Sequence, residues 1–168
     1  MNPKWYAIYT RPRWEKKVHL LLQQKDIESY CPLNRVRKKW SDRIKIVHEP
    51  LFKSYVFVKI LDVDKSLVRL TTGVMNFIYW DGKPAIIREK EIHIIKKFLN
   101  EYDDVTVEKI QLEKNERVHI DAGPLMGLEG KIIEIRSKTV KVIIDSLGYA
   151  LVATIERTKL SSAKLKIK

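Results

Sequence analysis

Residues 117–134 constrain the fold more than any other stretch of the chain. Their sequence, RVHIDAGPLMGLEGKIIE, contains an alternating apolar segment, a turn region with three glycines and a second apolar segment. Val118 and Ile120 alternate with polar residues, which is the period of a half-buried strand. Glycine permits positive φ and close backbone approach. The pattern predicts a strand–turn–strand unit, which on its residues alone fits a hairpin of any small barrel.

The chain after residue 116 is strand-like throughout. Strands are predicted at residues 118–120, 131–135, 139–144 and 150–155. Short strands at this spacing predict a small five-stranded β-barrel at residues 114–168, which ends in a basic tail. Residues 131–144 are dense in β-branched side chains and make a poor helix. We therefore expect a constitutive barrel, that is, a domain that does not switch to a helical fold. Residues 102–113 are acidic and lack a sustained period, which predicts a linker.

The first hundred residues alternate between strand and helix patterns. Strands are predicted at residues 4–10, 27–30, 50–60 and 74–80, and helices at 14–24, 65–70 and 89–99. Residues 50–60 combine aromatic and β-branched side chains and are predicted to form the central strand. Alternating basic and apolar residues at 35–47 predict a projecting hairpin. The order predicts an α+β fold, with helices packed on a mostly antiparallel sheet over residues 1–101.

Individual side chains are assigned to core or surface by the same periods. The helix at 14–24 is expected to bury the face formed by Trp14, Val18, Leu21 and Leu22. Glu15 falls on the opposite, polar face. Asp62 or Asp64 is expected to cap the short helix at 65–70. Asp103 and Asp104 are adjacent carboxylates in the linker and are expected to be solvated.

Positive charge is concentrated in the N-terminal part of the chain. The whole chain has 33 Lys and Arg against 21 Asp and Glu, a net charge of +12. Residues 1–100 hold 21 basic and 10 acidic side chains, whereas residues 101–168 hold 12 and 11. The N-terminal part therefore has the electrostatic footprint of a protein that meets nucleic acid. A solvated basic surface without a partner is the alternative.

No motif indicates enzyme chemistry. The four histidines are scattered, and none lies at a metal-ligand spacing to Cys31. No glycine-rich phosphate loop opens a helix. A single cysteine excludes an internal disulfide and fits a reducing cytosol, and the apolar runs are shorter than the roughly 18 residues of a membrane span. We therefore expect a cytoplasmic, monomeric binding module without catalytic residues, cofactor, metal or membrane contact.

Several segments resemble, in the correct order, the NusG family of transcription elongation factors. Residues 5–10 (WYAIYT) resemble the opening strand of its N-terminal domain, residues 50–58 (PLFKSYVFV) its PLFPGYVFV strand, and residues 117–134 the KOW motif that it shares with certain ribosomal proteins. Lys53 and Ser54 depart from the Pro-Gly pair of that pattern. The basic hairpin resembles that of specialised paralogues, particularly the UpxY antiterminators and, less closely, RfaH.

The resemblance implies a factor that binds RNA polymerase through its N-terminal domain, suppresses pausing and termination, and is directed to particular operons. The residues that match the polymerase-binding surface of the family are Tyr9, Phe52, Tyr55 and Ile78. The family makes a second polymerase contact, to the gate loop, near the short helix, where Asp64, Lys65 and Ser66 stand in place of the His-Thr-Thr of RfaH. The alternative is that the first four are core residues, Tyr55 above all.

The resemblance also implies contact with the non-template DNA strand. Arg11, Arg13, Lys17, Gln24 and Thr72 match the face that meets it, and the hairpin adds Lys38, Lys39, Trp40 and Arg43. The hairpin lysines have an alternative role in preventing edge-to-edge aggregation.

The KOW domain is expected to bind a small-subunit ribosomal protein or Rho. Its candidate contact residues are Gly123, Pro124, Leu125, Met126, Gly127 and Gly130. The alternative function is that of a KOW-type RNA-binding protein of the ribosome or its assembly, which the near-neutral charge of residues 101–168 disfavours. A DNA-binding repressor is a third hypothesis, and the sequence shows no convincing helix-turn-helix pattern for it.

Overall fold

A computed structural model describes residues 2–109, 118–119, 129–130, 132–136 and 139–154. The helices in this part are α1 (Glu15–Gln23), α2 (Lys65–Arg69) and α3 (Glu89–Glu101), with 3₁₀ turns at Asp62–Asp64 and Asp145–Leu147. The strands are β1 (Lys4–Thr10), β2 (Glu28–Tyr30), β3 (Leu33–Lys39), β4 (Ile44–Pro50), β5 (Tyr55–Ile60), β6 (Val74–Phe77), β7 (Tyr79–Trp80), β8 (Lys83–Pro84), β9 (Ile86–Ile87), β10 (Thr106–Lys109), β11 (Val118–His119), β12 (Glu129–Gly130), β13 (Ile132–Arg136), β14 (Thr139–Ile144) and β15 (Tyr149–Thr154). The fold is mixed α/β and rich in strands, as predicted.

The described residues form two compact units, Met1–Leu33 with Pro50–Ile92 and Asn34–Glu49 with His93–Lys168. The first unit contains an antiparallel sheet in the order β2-β5-β1-β6, with β9 also paired to β1. The strand predicted to be central, β5, lies between β2 and β1. In the second unit β10-β15-β14-β13 form another antiparallel sheet.

One face of the first sheet packs against α1 and α2. Its buried cluster includes Tyr6, Ile8, Val56, Val58 and Ile60 of β1 and β5, Val18 and Leu22 of α1, and Val68 of α2. Burial of each such side chain contributes roughly 1.5–3 kcal/mol. The predicted apolar face of α1 is confirmed for Val18 and Leu22, whereas Trp14 and Leu21 are only partly buried.

Glu15 lies inside the protein and not on a polar face, so that prediction is wrong. It is 5% exposed, and its carboxylate Oε1 accepts the backbone N–H of Ser54 at 2.6 Å. Ser54 has a left-handed φ of 64°, and its carbonyl accepts the N–H of Thr10 at 2.8 Å. This turn divides the predicted strand at residues 50–60, because Pro50 ends β4 and β5 begins only at Tyr55.

The segment predicted as a linker is partly strand. Residues 106–109 form β10, which pairs antiparallel with β15. The predicted strands at 131–135, 139–144 and 150–155 are confirmed, within one or two residues, by β13, β14 and β15. The barrel as a whole and the basic tail lie outside the described residues, and the domain boundaries stay a prediction. No helix in the described part is long and apolar enough to cross a membrane.

Candidate functional site: an aromatic face and two basic surfaces

The aromatic face consists of the four residues that match the polymerase-binding surface, Tyr9, Phe52, Tyr55 and Ile78. Tyr9 and Tyr55 alternate along β1 and β5 with residues of the α1 core, so they lie on the opposite side of the sheet. They are direct cross-strand partners, and their rings meet edge to face with centroids 5.8 Å apart. Tyr9 is 40% exposed and Tyr55 is half-buried. The pair therefore leaves part of its aromatic surface exposed to solvent.

Phe52 and Ile78, the other two members of the aromatic face, are less exposed than Tyr9. The Phe52 ring lies perpendicular to the buried ring of Phe57, with centroids 5.8 Å apart, and is itself 5% exposed. Phe52, and not Tyr55, is therefore the core residue of the set. Ile78 is half-buried, and its N–H donates to the carbonyl of Ala7 on β1 at 2.8 Å.

The residues of the second predicted contact lie where the 3₁₀ turn joins α2. The Lys65 ammonium is 2.6 Å from Asp62 Oδ1 and lies 4.6 Å from the centroid of the Tyr6 ring. Asp62 Oδ1 also accepts the Tyr6 hydroxyl at 2.6 Å. Burial, with the Asp62 carboxylate nearby, raises the pKa of Tyr6 to about 12, so this hydroxyl stays a donor. Hydrogen bonds from Lys65 and Tyr6 lower the pKa of Asp62.

These contacts overturn the capping prediction. Asp62 is engaged by Tyr6 and Lys65, and Asp64 precedes α2 without a side-chain capping bond. Ser66 is exposed on α2. Apolar side chains beside it are also exposed, namely Val63, Leu67 and Leu70.

The first basic surface, here called the Trp14 surface, comprises Arg11, Arg13, Lys17, Gln24, Lys25 and Thr72. The Arg11 guanidinium and the Lys17 ammonium lie 5.5 and 4.2 Å from the centroid of the Trp14 ring. Gly73, next to Thr72, accepts the Arg11 N–H at 2.9 Å. A Cβ on Gly73 would lie 2.5 Å from Trp14 Cε3, so the glycine is required for this approach.

The two ends of α1 extend the Trp14 surface. Arg13 lies exposed in the turn before α1, with a φ of 65°. Gln24 is the C-cap residue directly after α1, and the next residue, Lys25, donates from Nζ to Thr71 Oγ1 at 3.0 Å. Sequence reasoning missed Lys25, although its place directly after Gln24 was a usable signal.

The second basic surface is the hairpin, β3 and β4 with the turn between them. The predicted projecting hairpin is confirmed: the Trp40 N–H donates to the Arg43 carbonyl at 2.8 Å, and the indole is 55% exposed. The Lys45 ammonium lies 5.8 Å from the centroid of the Trp40 ring. Lys38 forms an ion pair with Glu49 on the facing strand. The sequence prediction counted Lys45 among the basic residues of the hairpin and named Lys38 as a nucleic-acid contact.

At the base of the hairpin Asp104 is exposed, as expected, whereas Asp103 is partly buried and both carboxylates form ion pairs. Arg35 Nε is 2.7 Å from Asp103 Oδ1. Arg37 Nη2 is 3.6 Å from Asp103 Oδ2, and its Nε is 3.8 Å from Asp104 Oδ2. The two carboxylates therefore pair with two arginines that are more than sixty residues earlier in the sequence.

The remaining candidates are resolved only in part. Of the KOW-loop residues, Gly123, Pro124, Leu125, Met126 and Gly127 lie outside the described residues, and Gly130 pairs with Val118 in β11-β12.

Cys31 is buried, and burial raises the pKa of its thiol to about 12. In the part that the structure describes, His, Cys, Asp and Glu form no group of three or more that could hold a metal ion.

The chain is thus a mixed α/β protein with one partly exposed aromatic face and two basic surfaces. A family model described as transcription termination factor nusG matches residues 3–96, more than half of the chain. The chain therefore belongs to the NusG family.

Individual relatives agree with this assignment. The chain is 28% identical over 167 residues to the transcription termination/antitermination protein NusG of Streptococcus pyogenes, and the match covers 90% of this chain and 92% of that protein. It is 28% identical over 162 residues to the protein of the same name from Staphylococcus aureus, with coverage of 86% and 87%. A solved structure of Thermotoga maritima NusG is similar with a TM-score of 0.53 and 24% identity, covering 94% of this chain and 95% of that one. This structural similarity supports a shared fold and nothing more.

Proposed function

We propose that the chain is a transcription elongation and antitermination factor that binds RNA polymerase through the aromatic face. The observation that carries the proposal is the partly exposed, edge-to-face pair of Tyr9 and Tyr55 in a member of the NusG family. Aromatic side chains at the centre of an interface often contribute about 2 kcal/mol or more each to binding. Phe52, buried beneath, holds the face in shape.

A second polymerase contact is proposed at the start of α2, through Asp64, Lys65 and Ser66. The internal pairing of Lys65 with Asp62 leaves Asp64 and Ser66 as the polar groups, beside the exposed side chains of Leu67 and Leu70. Two contacts on different parts of the polymerase would favour its elongating state by population shift, because they stabilise only the conformation that both can reach. Pausing and termination are suppressed without any chemistry by the factor itself.

The two basic surfaces are proposed to follow the non-template DNA strand. Contacts from Arg11, Arg13 and Lys17 to phosphates would add affinity that falls with salt concentration. Sequence choice would come from stacking or base-edge contacts, for which the exposed indole of Trp40 is suited.

We further propose a specialised, operon-directed paralogue of the UpxY kind, with a KOW barrel at residues 114–168 that binds a small-subunit ribosomal protein or Rho. The projecting basic hairpin supports the first part, and the strands β13 to β15 support the second. The ribosomal alternative is not favoured, because the family match spans residues 3–96 and the relatives are named as transcription proteins.

Binding of the full chain to purified core RNA polymerase tests the main proposal. We expect Tyr9→Ala to weaken binding by about 2 kcal/mol, roughly thirtyfold in Kd. Trp80→Ala is the matched control, because Trp80 is also an exposed aromatic residue but lies outside the aromatic face. Phe52→Ala is unsuitable, since a cavity at this buried ring costs about 3–5 kcal/mol of stability.

The possible outcomes distinguish a wrong binding site from a wrong binding partner. Equal binding by wild type and Tyr9→Ala would remove the aromatic face from the interface. If wild type does not bind polymerase at all, the proposed partner is wrong. Operon direction is tested next, by termination assays with and without candidate leader DNA.

A further inference from the structure

Three of the six basic side chains in the hairpin are paired with carboxylates. The paired ones are Arg35, Arg37 and Lys38, and those without a carboxylate partner among the described residues are Lys39, Arg43 and Lys45. We infer that Asp103 and Asp104 are positioning residues that withhold Arg35 and Arg37 from nucleic acid, so that the hairpin contacts phosphate only at its tip. This inference rests on the proposed contact between the hairpin and nucleic acid.

The carboxylates are held in place by the backbone of residues 103–105. The Asp104 N–H donates to the Arg35 carbonyl at 2.8 Å. The Val105 N–H donates to Asn34 Oδ1 at 3.1 Å, and Asn34 Nδ2 donates to the Val105 carbonyl at 2.7 Å. Asn34 and Val105 are both buried. The position of the acidic pair beside β3 is therefore fixed by buried hydrogen bonds as well as by its ion pairs.

Arg35 is surrounded by acceptors from its own chain. Besides the 2.7 Å approach of Nε to Asp103, its Nη2 lies 3.1 Å from the carbonyl of Asn100 and 3.5 Å from that of Leu99, as donor to both. These carbonyls belong to the last turn of α3, where the helix dipole adds negative potential. A phosphate that approached Arg35 would compete with all of these groups.

Arg37 meets both carboxylates. Its guanidinium lies near Asp103 and Asp104, and its backbone N–H donates to Asp104 Oδ1 at 2.9 Å. Two arginines and two aspartates give the hairpin base a net charge close to zero. The base therefore lacks the excess positive potential that attracts a phosphate backbone.

The tip of the hairpin has the opposite character. Lys39 and Arg43 stand on either side of the turn in the sequence, and Lys45 lies over the ring of Trp40. Cations beside an exposed aromatic ring suit a single strand, in which phosphates meet the cations and a base stacks on the ring. The ligand we assign to the tip is therefore single-stranded nucleic acid.

Salt titration of binding counts the phosphate contacts. Binding of the full chain to a fluorescently labelled, mixed-sequence single-stranded DNA oligonucleotide is measured by anisotropy between about 50 and about 200 mM NaCl. Log K falls linearly with log salt, and each contact on a single strand adds about 0.7 to the magnitude of this negative slope, which is called the slope below. Lys39→Gln/Arg43→Gln is expected to lower the slope by about 1.4. Arg35→Gln/Arg37→Gln is expected to leave it unchanged.

The opposite change is expected when the arginines are released. Asp103→Asn/Asp104→Asn is expected to raise the slope by about 1.4, because Arg35 and Arg37 become available to phosphate. Asparagine keeps the size of both side chains and tolerates the φ of 51° at residue 104. Adding Arg35→Gln/Arg37→Gln to this variant should return the slope to the wild-type value.

A charge-matched control is Glu28→Gln/Asp81→Asn, which removes two exposed carboxylates elsewhere and is expected to leave the slope unchanged. The inference is overturned if Arg35→Gln/Arg37→Gln lowers the wild-type slope, or if the Asp103 and Asp104 variant behaves like this control. If the Asp103 and Asp104 variant does not fold, the slope of Arg35→Gln/Arg37→Gln decides whether the inference holds. An unchanged slope in Lys39→Gln/Arg43→Gln would reject the proposed hairpin contact itself.

Discussion

The Trp14 surface and the hairpin are both basic, but they hold their cations in different ways. On the Trp14 surface, Arg11 and Lys17 lie over an indole ring, and the ring packs closely on Gly73. At the hairpin base, arginines lie against carboxylates supplied by residues 103–104. An indole ring is neutral and leaves the net positive charge of the surface unchanged, whereas each carboxylate cancels one positive charge. The comparison teaches that the number of Lys and Arg in a stretch does not measure the charge that it offers to a partner.

The largest effect is expected from Gly73→Ala, which breaks the packing of the Trp14 surface. The new Cβ would lie 2.5 Å from Trp14 and 2.9 Å from Val18, at a φ of 91°. Overpacking and the left-handed backbone together should lower the free energy of unfolding by about 3 kcal/mol. The control is Gly82→Ala, where φ is 70° but no atom lies within 4 Å, so urea unfolding should show a loss of only about 1 kcal/mol. Equal losses in the two variants would mean that the contact with Trp14 is not tight.

Asn34→Ala should weaken the hairpin base by a somewhat smaller amount. It removes both side-chain hydrogen bonds to Val105 and leaves the buried N–H and carbonyl of that residue without them. Urea unfolding should show a loss of about 2 kcal/mol. The control, Asn76→Ala, removes an exposed asparagine whose side chain accepts the N–H of the neighbouring Phe77, and should change stability little. A similar loss in both would argue that Asn34 does not fix the base.

Alkaline pH should destabilise the core beneath the Trp14 surface. Cys31 belongs to the same buried cluster as Val18 and Leu22, and its pKa is raised by burial from 9.0 to about 12. The neutral thiol therefore stabilises the fold fully below pH 9, and this contribution is lost as pH rises towards 12. At pH 10 the loss is about 1 kcal/mol. Comparing urea unfolding of wild type and Cys31→Ala at pH 8 and pH 10 isolates the effect, and parallel changes in the two proteins would contradict it.

The smallest effect is expected from Lys17→Gln, which removes one cation from the Trp14 ring. The ammonium lies 4.2 Å from the ring centroid at an exposed position, so thermal unfolding should show a loss of about 0.5 kcal/mol. Lys90→Gln, at an exposed position on α3, should cost less. If Lys17→Gln is as stable as this control, the ring does not hold the cation.

The parts of the fold that the sequence predicted are those encoded by local periodicity. The aromatic-rich composition of residues 4–10 and the helical spacing of Val18 and Leu22 are local signals, and both elements formed within one residue of the predicted bounds. Strand β10 was missed because residues 106–109 have no period of their own. They become a strand only by pairing with β15, about forty residues later.

The candidate site shows the same division. Tyr9 and Tyr55 were selected by resemblance to a family, and the structure brings them together as cross-strand partners. The contact of Lys25 with Thr71 could not be predicted, because the two residues are 46 apart in the sequence. The pairing of Asp103 with Arg35 was likewise invisible, since neither neighbourhood contains the complementary charge. Long-range polar contacts leave no local pattern for sequence reasoning to use.

The left-handed turn at Ser54 has a consequence for how this sequence tolerates substitution. Glu15 accepts the N–H of Ser54, and Thr10 donates to its carbonyl, so the turn is held from both sides by groups that do not depend on the side chain at position 54. The family pattern has a glycine at this position, whereas this chain has a serine with a φ of 64°. Glu15 therefore stabilises a left-handed backbone that serine adopts less readily than glycine, and the two positions should be epistatic: replacing Glu15 should be better tolerated after Ser54→Gly than before it.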